Sequence, residues 1–219
     1  MRKVTVAAMV SIDGVMQAPG GPDEDPTGGF AFGGWVWPWF DETGGDLMDH
    51  AMGQDYDLLL GRRTYEIFAA YWPGKDDAIG RKFDAITKYV AASPETPMTW
   101  KGSVRLEGDV ADAVERLKAE DGPDLLIQGS SEVVHALLAR NLIDRISLLT
   151  FPVILGTGKR FFDQTSAPAA FALTETRRSP SGVVVNRYER DGEVPVGSFG
   201  DDTPSALELE RRERWAREG

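Results

Sequence analysis

Hydrophobic and polar positions follow two periods along residues 1–190, and the two periods predict strands alternating with helices. Short runs rich in Val, Ile and Leu, such as Val4 to Val10, are typical of strands buried on both faces. The segments between them carry apolar side chains at helical spacing, as in Arg62 to Trp72, which Pro73 and Gly74 end. The pattern therefore predicts a protein of the α/β class.

The predicted strands are 4–10, 57–60, 88–92, 104–106, 125–127, 145–155, 171–176 and 183–188. The predicted helices are 41–52, 62–72, 76–83, one capped by Asp109 and one capped by Ser130 or Ser131. This order predicts a mixed, mainly parallel sheet with helices on both faces and a C-terminal antiparallel hairpin. The apolar strand at 145–155 is also a candidate edge for pairing with a second copy.

Two segments depart from this alternation. Residues 14–45 hold nine glycines, with six aromatic residues between Phe30 and Phe40, as expected of a long folded loop with a function. Residues 191–219 form a polar tail whose end is charged and helix-prone. For that end, disorder is favoured over an arm that packs on a partner subunit. We therefore expect one domain over 1–190 and a tail over 191–219.

The amino-acid composition argues against several kinds of catalytic site and partner. The 219 residues include no cysteine and only two histidines, which excludes thiol catalysis and argues against a metal site. The net charge of −11 argues against a nucleic-acid partner, and residues 1–60 hold ten acidic and two basic residues. No apolar run is long enough to span a membrane. The N-terminus lacks the features of a signal peptide, so we expect a cytoplasmic protein.

Two strand-to-helix junctions share one design. Gly61-Arg62-Arg63-Thr64 follows one buried strand, and Gly129-Ser130-Ser131 follows another. Free backbone N–H groups at a helix N-terminus bind anions, and glycine lets a phosphate approach the backbone. Each junction alone is also consistent with ordinary helix capping, and the arginines with a solvated pair. Neither is the G-x-G-x-x-G fingerprint of dinucleotide-binding folds.

Several of these segments together resemble the dihydrofolate reductase superfamily, in particular the branch related to the reductase domain of riboflavin biosynthesis. The resemblance covers residues 2–189 and rests on Ser11-Ile12-Asp13-Gly14, Leu60 to Glu66, Gln128-Gly129-Ser130 and Phe151 to Gly158. It implies a three-layer fold, NADPH as hydride donor and a homodimer. The cofactor-binding residues that it implies are Met9, Gln17, Ala18, Gly61, Arg62, Arg63, Thr64, Ser93, Gly129, Ser130, Ser131 and Glu132.

The substrate side is less well defined. Asp13 is the candidate to orient the substrate or relay a proton, and the alternative is a turn residue before Gly14. Trp35 and Trp39, with Trp37 between them, are candidates to stack on a flat heterocycle; the alternative is that they pack the loop onto the core. Asp49 is one of the acidic residues after this loop, in the region where true dihydrofolate reductases hold their substrate.

The leading hypothesis is an NADPH-dependent reductase of a pterin-like or pyrimidine-like small molecule, for example a 5-amino-6-(5-phosphoribosylamino)uracil. Hydride transfer needs neither thiols nor metals from the protein, because the cofactor carries the chemistry. One alternative is a reductase of another small conjugated compound. Another is a non-catalytic nucleotide-binding protein of the same fold.

Overall fold

One eight-stranded sheet organises the chain in a computed structural model, which describes residues 1–199 and 203–218. Its strands are β1 (Val4–Ser11), β2 (Tyr56–Gly61), β3 (Lys88–Ala91), β4 (Ser103–Arg105), β5 (Asp124–Gly129), β6 (Arg145–Phe151), β7 (Phe171–Arg178) and β8 (Val184–Arg190). Their order is β4-β3-β2-β5-β1-β6-β8-β7. The first six strands in this order, from β4 through β6, run parallel to one another. Strands β8 and β7 add an antiparallel end, as predicted.

The helices are α1 (Gly44–Met52), α2 (Arg62–Tyr71), α3 (Ala78–Ala85), α4 (Val110–Ala119), α5 (Ser131–Ala139) and α6 (Ala206–Glu218). Asp109 caps α4 as predicted, because its carboxylate accepts hydrogen bonds from the backbone N–H groups of Ala111 and Asp112 at 2.9 and 3.1 Å. Among the helices of the described residues, none has the length and apolarity needed to cross a membrane.

The sheet separates two hydrophobic cores. Leu58 and Leu60 of β2 face the core that α1, α2 and α3 cover, whereas Leu59 between them faces the core under α4 and α5. Successive side chains of a strand point to opposite faces, so an entirely apolar strand is what a sheet covered on both sides requires. The three-layer α/β architecture that the sequence predicts is confirmed.

Strand β6 corrects one prediction. It ends at Phe151 rather than residue 155, because Pro152 has no N–H to donate and the chain then turns so that Val153 N–H bonds back to the Phe151 carbonyl at 2.8 Å. It also lies inside the sheet, paired with β1 and β8, so it offers no free edge. Pairing with a second copy through this strand is therefore wrong.

The long loop and the tail both contain helical segments. Within the loop, Trp37–Trp39 forms a short 3-10 turn, and Pro38 at its centre fits this geometry. In the tail, residues 206–218 form helix α6 rather than a disordered end, and none of its residues is buried. Residues 200–202 and 219 of the predicted tail lie outside the described residues.

Candidate functional site

A cavity of about 650 Å³ lies where the carboxyl ends of the central strands meet the long loop. Strand β1 contributes Ala7 and Met9, the β5–α5 junction contributes residues 128–132, and α2 contributes a stripe of side chains from Arg63 to Tyr71. A smaller cavity of about 390 Å³ adjoins it and shares Gln17, Arg63 and Lys159. Ligands of open α/β sheets bind at this edge, so the larger cavity is the candidate site.

Close packing joins the two glycine junctions at this edge. A β-carbon placed on Gly129 would lie 2.5 Å from Thr64 Oγ1, and one placed on Gly61 would lie 2.9 Å from the β-carbon of Ser130. Each glycine therefore makes room for a hydroxyl residue of the other junction. Gly129 and Thr64 both line the cavity, as the resemblance implies. Gly61 supports it from behind, and the Gly129–Ser130 peptide bond is cis.

The N-termini of α2 and α5 both begin at this pair of junctions. Gly61 is the N-cap of α2 and has no side chain to cap it, and the Ser130 side chain makes no capping hydrogen bond to α5. The first backbone N–H groups of both helices lack a capping side chain, and the helix dipoles add a partial positive charge there. Ser131 and Glu132, in the first turn of α5, line the cavity. Two anion-binding ends thus converge on one side of it.

The side chains of the adjacent Arg62 and Arg63 have different surroundings in the structure. Arg62 donates to both carboxylate oxygens of Glu66, at 3.0 and 2.8 Å, one helical turn further along α2, and does not line the cavity. Arg63 lines both cavities, and within the described residues it has no ion-pair partner. Of the two arginines that the resemblance implies for the cofactor, the structure thus places Arg63 at the cavity and Arg62 outside its lining. Helical phase explains this, because Arg63 shares its face of α2 with Ile67 and Tyr71 at intervals of four residues.

Gln17 lines the cavity but uses its side chain to hold the loop together. Its amide donates to the carbonyls of Asp25 and Thr27, both at 2.9 Å, and accepts from the backbone N–H of Lys159 at 3.0 Å. The Lys159 ammonium is paired with Asp25. Since these bonds occupy the amide, any contact of residues 17 and 18 with a ligand falls mainly to the backbone and to Ala18.

Asp13 lies away from the cavity, in the turn after β1. Its carboxylate accepts hydrogen bonds from Ser11 Oγ at 2.6 Å and from the backbone N–H groups of Leu155 and Gly156 at 3.1 and 2.9 Å. These bonds, that of Ser11 above all, lower the pKa of Asp13 from 3.8 to about 2. An ionised and fully used carboxylate is a poor proton relay, so the geometry favours the turn role over the predicted catalytic one.

Three of the remaining candidates do not line the cavity. Trp35 is buried, donates its indole N–H to the Gln17 carbonyl at 2.8 Å and packs edge-on against Phe151. Trp39 packs against the core and offers its carbonyl to Ser181 at 2.6 Å. Asp49 lies on α1 outside the cavity lining. The structure thus places all three outside the cavity lining, and the two tryptophans have the packing role given as the alternative.

Ser93 follows β3, outside the cavity. Its hydroxyl lies 3.5 Å from Thr96 Oγ1, and the Arg105 guanidinium binds the backbone carbonyls of Ser93 and Thr96. The pKa of neighbouring Glu95 is lowered, mainly by a hydrogen bond from Ser93. The predicted contact of Ser93 with the adenosine end of a cofactor stays a prediction.

The structure adds a set of aromatic residues, of which the sequence had indicated only Trp37 as a candidate for stacking. Together they form one surface of the cavity, here called the aromatic wall, composed of Trp37, Phe40, Phe68, Tyr71 and Trp72. Ring centroids lie 4.9 Å apart for Tyr71 and Trp72 and 6.2 Å apart for Phe68 and Trp72. The spacing of Ile67, Phe68, Tyr71 and Trp72 with Arg63 along one helix face is the signal that could have found the α2 part of this wall.

Glu24 is the second addition. It lines the cavity, and its Oε2 accepts the backbone N–H of Gly20 at 2.6 Å. Burial raises its pKa above the ordinary 4.5, and the neighbouring Asp25 carboxylate acts in the same direction. Nothing in the local sequence marks it, because both its burial and its neighbours depend on how the loop folds.

These groups fit a phosphate-bearing cofactor. Glycines 61 and 129 let the two junctions pack closely against each other, two helix ends supply N–H donors, and Arg63 is a cation without a partner among the described residues. Within that same part of the chain, no three His, Asp or Glu residues lie close enough together to hold a metal ion. The site is therefore built around backbone donors and one arginine.

Comparison with known proteins agrees with this architecture. The chain is 25% identical over 157 residues to the uncharacterized protein YyaP of Bacillus subtilis, covering 67% of this chain and 83% of that protein. A putative riboflavin biosynthesis protein from Shewanella has a similar fold, with a TM-score of 0.62 and 19% identity over 86% of this chain and 99% of its own.

The dihydrofolate reductase of Enterococcus faecalis, solved with NADP(H), shares the fold at a TM-score of 0.57 and 13% identity, covering 86% of this chain and 96% of the other. The sequence model of one family, the RibD C-terminal domain, matches residues 2–185. This match spans β1 to β7 and the first two residues of β8. The chain therefore belongs to the RibD C-terminal domain family.

Proposed function

We propose that this protein is an NADPH-dependent reductase that transfers hydride to a small, flat heterocycle, pterin-like or pyrimidine-like. Family and fold support a reductase-type activity. The observation that carries the proposal is the convergence of two uncapped helix N-termini and unpaired Arg63 beside a cavity with an aromatic wall. An anionic dinucleotide matches the first part, and a flat ring matches the second.

The residues of this chain would hold such a cofactor from one side. Backbone N–H groups of α2 and α5, with Arg63, would bind phosphate oxygens, and Gly61 and Gly129 let the two junctions pack closely enough to bring these donors together. Met9 and Ala18 line the cavity and would help to exclude water from a ring bound there. When bound, a reduced nicotinamide supplies the hydride, and the protein contributes position and a dry site.

Reduction also needs a proton for the atom that gains electron density. Glu24 is the candidate donor, because its carboxyl group lines the cavity and burial raises its pKa. Asp13 is not suited to this role, since four groups already hold its carboxylate. Glu24 thus takes the place that the sequence analysis gave to Asp13.

Titration of the full chain with NADPH, followed by thermal unfolding, tests the cofactor. A ligand that binds only the folded state raises stability by mass action, and at a hundredfold excess over its dissociation constant we expect the midpoint to rise by about 5–10 °C. Loss of reduced-nicotinamide absorbance with dihydropterin or aminopyrimidine acceptors then tests turnover.

The outcomes separate the possibilities. A midpoint that NADPH does not move would contradict the cofactor assignment. Binding followed by no turnover with any acceptor would instead favour the non-catalytic nucleotide-binding alternative. Turnover that Glu24→Gln lowers severalfold, while Glu42→Gln leaves it unchanged, is the expected result, because Glu42 is exposed and lies outside the cavity lining.

A further inference from the structure

Helix α2 divides the cavity into two chemically different ends. Its lining residues begin with Arg63 and Thr64 in the first turn and finish with Tyr71 and Trp72 at the C-terminal end. A helical rise of 1.5 Å per residue separates Arg63 from Tyr71 by about 12 Å along the helix axis. The cation and the helix N-termini therefore lie at one end, and the rings of the wall at the other.

Negative charge lies at the aromatic end of the cavity, in contrast to the positive charge of Arg63 at the other end. The long loop that carries Trp37 also brings Asp23, Glu24 and Asp25 to the cavity lining. Of these, Asp25 is neutralised by Lys159, which leaves Asp23 and Glu24. Another cation near the wall is Lys75, whose ammonium lies 4.5 Å from the Tyr71 ring centroid but does not line the cavity.

A phosphate group at this end would be poorly placed. It would give up water against aromatic rings and face two carboxyl groups. Of the lining cations, Lys159 is already paired with Asp25, and Arg63 lies about 12 Å from Tyr71 along α2. A neutral or positively charged aromatic molecule meets none of these penalties. Stacking on the rings and attraction to Glu24 or Asp23 would both favour it.

We propose that the substrate of this reductase is a flat aromatic molecule that is neutral or cationic and carries no phosphate, bound between the aromatic wall and the acidic loop. That this molecule is a substrate rests on the proposed function. The class of ligand follows from the residues that line the cavity. It sets this chain apart from any reductase whose substrate is a sugar phosphate, since the cation needed for that group is at the cofactor end.

Three naphthalene probes substituted at the same ring carbon test the ligand class by calorimetric titration of the full chain: naphthol, naphthylmethylamine and naphthyl phosphate. We expect the neutral and cationic probes to bind at least about tenfold more tightly than the phosphate. Trp72→Ala should weaken both by about fivefold or more, because it removes one ring of the wall. The matched control Trp215→Ala, on exposed α6, should change neither.

Phosphate binding that equals or exceeds that of the other two probes would overturn the inference, as would absence of binding by all three or indifference to Trp72→Ala. Titration of the same samples with NADPH keeps the two proposals apart. If NADPH fails to bind while the probe ranking holds, the cofactor assignment is wrong and the ligand class stands. If NADPH binds and the ranking reverses, only the ligand class is wrong.

Discussion

Gly129 lies so close to Thr64 that a β-carbon on the glycine would be 2.5 Å from the threonine hydroxyl oxygen. The contact joins the carboxyl end of β5 to the first turn of α2, and so brings together two helix N-termini that are about 70 residues apart in sequence. Packing at this one point therefore sets the geometry of the proposed phosphate site.

Gly129→Ala should unfold at lower temperature and lose NADPH binding. The added methyl group must displace Thr64, and overpacking of this kind costs about 1–3 kcal/mol. Thr64→Ala in the same chain removes the clashing atoms and should restore part of the stability, but not all of it, because the backbone at Gly129 has a φ of +156°, which side chains rarely adopt. Gly45→Ala is the control, because nothing lies within 4 Å of its β-carbon position in α1. Equal effects of the two glycine substitutions on thermal unfolding would contradict this account.

Asp13→Asn should lower the thermal midpoint by about 3–5 °C, the cost of weakening one or two charge-assisted hydrogen bonds, and leave NADPH affinity unchanged. The pKa of Asp13 is about 2 against an ordinary 3.8, so its stabilising effect is present above pH 3.8 and is lost as the pH falls toward 2. The wild-type protein and the variant should therefore converge in stability over that interval. A variant with normal stability but no turnover would restore Asp13 to a catalytic role.

Glu24→Gln should show the reverse dependence on pH. Because burial raises the pKa of Glu24 above 4.5, the protonated form favours folding, and this advantage is lost as the pH rises through the raised value. The variant has no charge to bury, so its midpoint relative to wild type should rise as the pH increases from 4.5 through the raised pKa of Glu24. Glu42→Gln, on an exposed side chain, should show no such trend. A difference that does not change with pH would argue that Glu24 is solvated, and one that falls with pH would argue that the fold stabilises its carboxylate.

Local pattern was enough to predict most of the fold. Leu58, Leu59 and Leu60 are all apolar because their strand faces a core on each side, and such runs identify the parallel strands without further information. Gly61 and Gly129 could be recognised in the sequence as the two junctions. They are needed there because any side chain at either position would meet Ser130 or Thr64. The homodimer and the tail's role in it stay predictions.

The side chains that line the cavity could not be predicted from local pattern in the same way. The choice between Arg62 and Arg63 depends on helical phase, which the i,i+4 pairing of Arg62 with Glu66 decides. Partners distant in sequence decide whether the side chains of Gln17, Trp35 and Asp25 are free to contact a ligand. One example is Lys159, which pairs with Asp25. A loop folded by contacts of that kind has no local periodicity to reveal which rings face the ligand and which face the core.

The dissociation constant of NADPH for Arg63→Ala, compared with Arg62→Ala in calorimetric titrations, tests the central claim most directly. The two variants make the same change at neighbouring positions, but only Arg63 lines the cavity, whereas Arg62 is paired with Glu66. We predict that Arg63→Ala weakens NADPH by about tenfold or more, the loss of a charge-assisted contact, and that Arg62→Ala changes it by less than about twofold. Equal losses, or a larger loss for Arg62→Ala, would contradict the site described above.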